Sequence, residues 1–192
     1  WKDGEDVIIV PAVSDDEAPE DLTGHASFSL VTVGVDARGP VGKGWWLGGS
    51  VRRSFHDVAV RGTPQFPQWP VFYDFSARAT KVMGNKRVSV FSLGAGDVYQ
   101  RAIGELDVED PVTQARAPLL DYDRGFQVLG VRWNSPGIRA TTAFLHDHIR
   151  SSISSGGLLD QRSLSLPTRL DTTGRISDFV SYEAGTELRP EV

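Results

Sequence analysis

The sequence predicts an all-β protein, an antiparallel up-and-down transmembrane β-barrel segment of about eight long strands. Three observations carry that expectation. Apolar and polar residues alternate over unusually long stretches, Gly- and Pro-containing turns separate them, and short connections alternate with long ones. The clearest stretch is Val71 to Asp97. Val71, Tyr73, Phe75, Ala77 and Ala79 fall on one side of a period-two pattern, with Asp74, Ser76, Arg78 and Thr80 on the other. Gly84-Asn85-Lys86 reads as a tight turn and Arg87 to Asp97 as the returning strand. Each strand is about twelve residues, roughly twice the usual length in a soluble sheet.

Taken in order, the chain opens with a short apolar run, Val7 to Val10, closed by Pro11. The acidic stretch Asp15 to Asp21 follows. It reads as a solvated loop or as a calcium-binding loop, although its spacing does not match an EF-hand. Ala26 to Asp36 alternates as a strand, Ala37 to Lys43 is a Gly/Pro turn, and Gly44 to Phe55 returns. Trp45 and Trp46 follow that turn, either as part of an aromatic girdle at a membrane interface or as a core pair in a soluble sandwich. His56 to Pro70 is a loop with three prolines, and Val98 to Leu120 is a long polar segment. Tyr122 to Asn134 and Ile138 to Arg150 form a hairpin about Ser135-Pro136-Gly137. Ser151 to Thr173 reads as a long loop and Gly174 to Arg189 as the last strand.

The connections after Asp36, Val82 and Asn134 are therefore short, and those after Val10, Phe55, Asp97 and Arg150 long. An up-and-down barrel with short periplasmic turns and long extracellular loops has that arrangement, whereas Greek-key crossings give no reason for it. Arg52, Asp74, Arg78, Glu183 and Glu187 lie mid-strand on polar faces. They would face the lumen of a large barrel or the solvent of a sandwich.

Composition narrows the classes. A net charge of -5 gives no phosphate-binding footprint, so no nucleic-acid partner is expected. The absence of cysteine excludes a disulfide framework and cysteine-ligated zinc. No run of 18 apolar residues exists that would make a transmembrane helix, and barrel strands need none. A chain opening at Trp1 without a basic and apolar leader reads as a mature form or as an internal fragment, and the fragment is the expectation.

Three stretches carry a resemblance. Gly48 to Val60 (GGSVRRSFHDVAV), Pro70 to Ala79 (PVFYDFSARA) and Lys86 to Asp97 (KRVSVFSLGAGD) resemble part of the barrel of a TonB-dependent outer-membrane receptor. The matching residues are Arg52, Arg53, Ser54, Phe55 and Asp57, then Tyr73, Asp74 and Phe75, then Arg87 to Phe91 and Gly94. Phe55 stands where the family often has Tyr, and Ser76-Ala77-Arg78 where Gln and Lys are common. The resemblance spans about residues 24–189. It implies an interior part of a barrel of about 22 strands, with a plug domain that lies outside residues 1–192. It further implies a bacterial outer-membrane location and uptake of a scarce nutrient, such as a siderophore-iron complex or cobalamin. The partners implied are the lipid bilayer, the plug, the TonB complex acting through the plug, and the nutrient ligand.

No catalytic constellation emerges. There is no G-x-S-x-G elbow, and Gly94-Ala95-Gly96 lacks the third glycine and the helix of a dinucleotide loop. No enzyme activity, cofactor or metal is expected. His146 and His148 share one side of a strand, and His56 falls at the same outer end. With Tyr99, Gln100, Arg101 and Asp123 they are the candidate ligand contacts, on position alone. A metal or haem contact by the histidines competes with their being polar residues where a strand leaves the membrane. The reading from another class is a soluble or surface-attached β-sandwich that binds a ligand with its end loops.

Overall fold

In a computed structural model, residues 20–55, 68–102, 119–154, 156–177 and 180–190 are described. They form one antiparallel sheet with no second layer among them. Its strands are β1 (Thr23–Phe28), β2 (Thr32–Gly42), β3 (Trp45–Ser54), β4 (Gln68–Met83), β5 (Lys86–Ala102), β6 (Leu119–Ser135), β7 (Ile138–Ile153), β8 (Gly157–Ser165), β9 (Thr168–Ser177) and β10 (Val180–Leu188). Each strand through β7 pairs with its sequence neighbour, β8 and β9 both pair with β7, and β10 pairs with β9. The up-and-down antiparallel architecture expected from the sequence is present, and the sheet is open.

Strand ends shift by a few residues, with β4 starting at Gln68, β5 running on to Ala102 and β6 starting at Leu119, and the strand inventory differs more deeply from the expected one in three places. Ala26 to Asp36 is not one strand but a hairpin turning at Ser29-Leu30-Val31. Ser29 builds that turn without glycine or proline. Its N–H donates to the Thr32 carbonyl at 2.9 Å, and its Oγ accepts from the N–H groups of Val31 and Thr32 at 3.3 and 3.0 Å. The turn expected over Ala37 to Lys43 shrinks to Lys43-Gly44. Both have positive φ, 51° and 73°, as a type I′ hairpin turn requires.

The third difference is the largest. Most of Ser151 to Thr173 is strand, not a long loop, with β7 running to Ile153 and β8 starting at Gly157, so the connection after Arg150 is short. β8 pairs with β7 from Ile153↔Gly157 to Leu145↔Ser165, and β9 resumes at Thr142↔Thr168 in unbroken register. The two are one descending strand interrupted at Leu166-Pro167. The Ala143 N–H still donates to the Pro167 carbonyl at 3.0 Å, and the ladder lacks only the bond that a proline nitrogen cannot donate. The expected strand Gly174 to Arg189 is accordingly the end of β9 plus β10. Val7 to Val10, most of the acidic stretch and the loop His56 to Pro67 lie outside the described residues.

Ridge by ridge, the register assigns every side chain to a face, because antiparallel partners project the same way. One face, the belt face, carries Val33 and Val35, Leu47 and Val51, Phe75 to Ala79 at alternate positions, Val88 and Val90, Leu129 and Val131, Ala140 and Phe144. Most of these are well exposed, for example Leu129 at 57%, Val51 at 52% and Phe144 at 47%. The opposite, polar face carries Ser50, Arg52, Asp74, Ser76, Arg78, Thr80, Ser89, Arg132, Thr141, Arg169 and Glu187.

Burial runs against this chemistry. Among the described residues, those buried other than glycine are Trp46, Ser54, Thr80, Ser89 and Ala143, and all five sit on the polar face. In a single layer only neighbours on the same face can cover a side chain. Crowding on the polar face is what a sheet curled toward that face produces. β9 also runs on to Ser177 past Thr172, the partner of Ile138 at the base of β7. Such stagger accompanies strand tilt in curled sheets.

Candidate functional site

The polar face is organised by cross-strand hydrogen bonds. Ser50 and Ser76 hydroxyls meet at 2.8 Å, and Thr80 and Ser89 meet at 2.8 Å with Thr80 fully buried. Arg52 Nε donates to Asp74 Oδ2 at 2.7 Å, and Arg78 Nη2 donates to Ser89 Oγ at 3.3 Å. The Arg78 guanidinium also lies 5.5 Å over the Trp46 ring, and Arg132 lies 5.7 Å over Phe91. Trp46 is therefore buried on the polar face beneath an arginine, and its indole N–H has no hydrogen-bond partner among the described residues. Trp45 takes the belt face, in one cross-strand row with Lys81, Val88 and Trp133. Trp133 at that height was not anticipated, although a lone Trp three residues before Pro136 was the available signal.

All five residues expected to be lumen-facing (Arg52, Asp74, Arg78, Glu183 and Glu187) project from the polar face. Toward the turns an open groove of about 430 Å³ crosses this face, with Arg87, Asn134, Arg139, Arg169, Asp171 and Glu183 in its lining. Arg169 grips Asp171 through Nε at 2.9 and 3.0 Å.

The candidate ligand contacts divide between the faces. Gln100, Asp123, His146 and His148 project from the belt face, while Tyr99 projects from the polar face and stacks on Tyr122 at 4.8 Å. Gln100 donates to Asp121 at 2.6 Å. The His146 and His148 rings stack at 6.0 Å, and His148 Nε2 lies 3.3 Å from Asp123 Oδ1. His148 lies over Gly125, where an added Cβ would come within 2.9 Å of its ring. Asp123 is its hydrogen-bond partner among the described residues. Among the described residues no three His, Asp or Glu side chains gather closely enough to hold a metal ion. The backbone of Arg101 pairs with Leu120, and His56 lies outside the described residues.

These residues mark where the pattern inverts. On the loop-side halves of β5 to β7 the belt face turns polar, with Gln127, His146, Asp123, His148 and Arg150. The polar face there turns apolar, with Leu93, Val128 and Leu145 in one row and Phe126 in the next. Asp97 lies beside this patch. The apolar patch was missed because the phase of alternation was read as constant along each strand.

No family model, curated protein or solved structure matches the chain.

Proposed function

We propose that this chain is wall from an outer-membrane β-barrel of the TonB-dependent receptor kind, with uptake of a scarce nutrient as the activity of the whole. The observation that carries the membrane part is the uncovered belt face. A sheet in water would need a partner layer over Leu47, Val51, Phe75, Leu129 and Phe144, since burying each such side chain is worth about 1.5–3 kcal/mol. Lipid supplies that burial without a second layer. The belt runs from Val71 to Ala79 on β4, about 27 Å along the strand and about 20 Å high at an ordinary barrel tilt. That is close to the roughly 25 Å band of such barrels.

The receptor class rests on the resemblance of Gly48 to Val60, Pro70 to Ala79 and Lys86 to Asp97. In this reading the polar face lines the lumen and meets the plug, and the TonB complex acts through that plug. Tyr99, Gln100, Arg101, Asp123 and the three histidines stand near the outer mouth. The wall binds and guides, and performs no covalent chemistry.

The test is to fold the purified chain in buffer and in the presence of lipid vesicles, following circular dichroism and tryptophan emission. The expected result is β-structure and a blue shift that require lipid. A cooperative monomeric β-fold in buffer alone would replace this reading with the soluble ligand-binding sandwich.

A further inference from the structure

The cations of this sheet are distributed by type. The chain has four lysines, Lys2, Lys43, Lys81 and Lys86, and every other cationic side chain except histidine is arginine. Lys43, Lys81 and Lys86 all lie at the turn end. Lys43 sits in the β2–β3 turn, Lys86 opens β5 after the next turn, and Lys81 stands three residues before that turn on the belt face. Lys81 does not extend straight out from its row. Its ammonium sits 5.6 Å over the Trp45 ring and donates to the Lys43 carbonyl, so it is bent toward the turn tips. A lysine that keeps its stem on apolar surface and lifts its charge to the rim is snorkelling.

The row Trp45–Lys81–Val88–Trp133 puts a tryptophan at each end of this rim, Trp45 exposed and Trp133 half-buried. Tryptophan settles at the headgroup level, where its ring is apolar and its N–H stays wet. From β3 to β7 the belt-face row at this end holds no carboxylate. The opposite rim of the same face is balanced, with Arg150 and Arg162 set against Asp123 and Asp160. One rim is thus purely cationic and built of lysine, a compact and strongly hydrated charge suited to a phosphate at a surface.

We infer that the turn-end rim, Lys43, Lys81 and Lys86 around Trp45 and Trp133, is a collar for anionic phospholipid headgroups. This rests on the membrane reading above and adds to it the class of lipid and the leaflet in which the turns lie. The geometry selects phosphate-bearing lipids with net negative charge over zwitterionic ones, because a zwitterion returns its own cation to the lysines.

The experiment compares binding of the whole chain to phosphatidylcholine vesicles with binding to vesicles containing phosphatidylglycerol. Each lysine near a charged surface contributes about a 5-fold gain, so three together give about 100-fold tighter binding to the anionic vesicles. That preference should fade with added salt. The variant Lys43→Gln/Lys81→Gln/Lys86→Gln should lose it while keeping its β-content on phosphatidylcholine. The Lys→Arg counterpart should retain it. Equal binding of the unaltered chain to both vesicles, or full preference in the glutamine variant, would overturn the collar and leave the membrane reading standing. No binding to either vesicle would overturn both.

Discussion

Ala77 and Ser76 are adjacent on β4 and project from opposite faces, which makes them a direct test of where lipid lies. Ala77 is exposed at mid-belt, in the row Gly49–Ala77–Ser92–Leu129–Phe144. Ser76 stands on the polar face with its hydroxyl 2.8 Å from that of Ser50. Arginine at Ala77 in a bilayer costs about 2–4 kcal/mol, a factor of roughly 30 to 900 in the folding equilibrium. In a soluble sheet the same exposed change stays within about 0.5 kcal/mol. Arginine at Ser76 loses one hydroxyl pair, about 1 kcal/mol, and gains a wet polar surface for its charge. The ordering Ala77→Arg far worse than Ser76→Arg is therefore expected in vesicles. The assay is denaturant titration of the lipid-folded chain, read by tryptophan emission. Equal midpoints for the two variants, or Ser76→Arg as the worse, would refute the assignment of the belt face to lipid.

Other changes follow from the packing. A Cβ at Gly130 would fall 2.3 Å from Phe91, so Gly130→Val displaces that ring from beneath Arg132. Overpacking of this kind costs about 1–3 kcal/mol, measurable as a lower unfolding midpoint. The Arg52–Asp74 pair is largely solvent-facing, with side chains 64% and 37% exposed. Asp74→Asn should cost less than about 1 kcal/mol in the same titration.

Much of the fold was legible because its signals are local. β4, β5, β6 and β7 alternate over long stretches, and Gly84-Asn85 and Pro136-Gly137 supply turns with the required positive φ at Gly84 and Gly137. The misreadings came where a local signal was absent or pointed elsewhere. The β1–β2 turn is made by a serine side chain without glycine or proline, and its one trace in Ala26 to Asp36 is a change in the phase of alternation at Leu30-Val31. Pro167, with Gly156 and Gly157, marked β8 and β9 as loop, yet the register passes through the proline at the loss of one ladder bond. The five polar-face residues share a face because period two fixes the face within a strand. Which residues meet across strands depends on register, and register is set by turns. Period two parts Tyr99 and Gln100, neighbours in sequence, to opposite faces, and register brings Asp123 and His148 together.

Strand direction sets a last constraint. With β8 and β9 counted as one descending strand, the path β1 to β10 contains nine alternating strands. β1 and β10 therefore both run from the turn end to the loop end, and antiparallel closure of one on the other is impossible. A closed antiparallel wall containing this sheet needs an odd number of further strands between its edges, the first of them descending. Both edges are patterned to accept one. Ala26 and Phe28 on β1, and Tyr182, Ala184 and Leu188 on β10, continue the belt face, while Ser27, Glu183 and Glu187 continue the polar face. Left bare, such edges seek strands from other chains. The chain lacks cysteine, so the double variant Ala26→Cys/Ala184→Cys reports on the edges alone. Lipid-folded chain should give disulfide-linked pairs of chains on oxidation, formed between copies in opposite orientations, the relation in which two such edges meet antiparallel. A high yield of the internal disulfide would mean that β1 and β10 lie side by side in parallel, and the parity argument would fail with it.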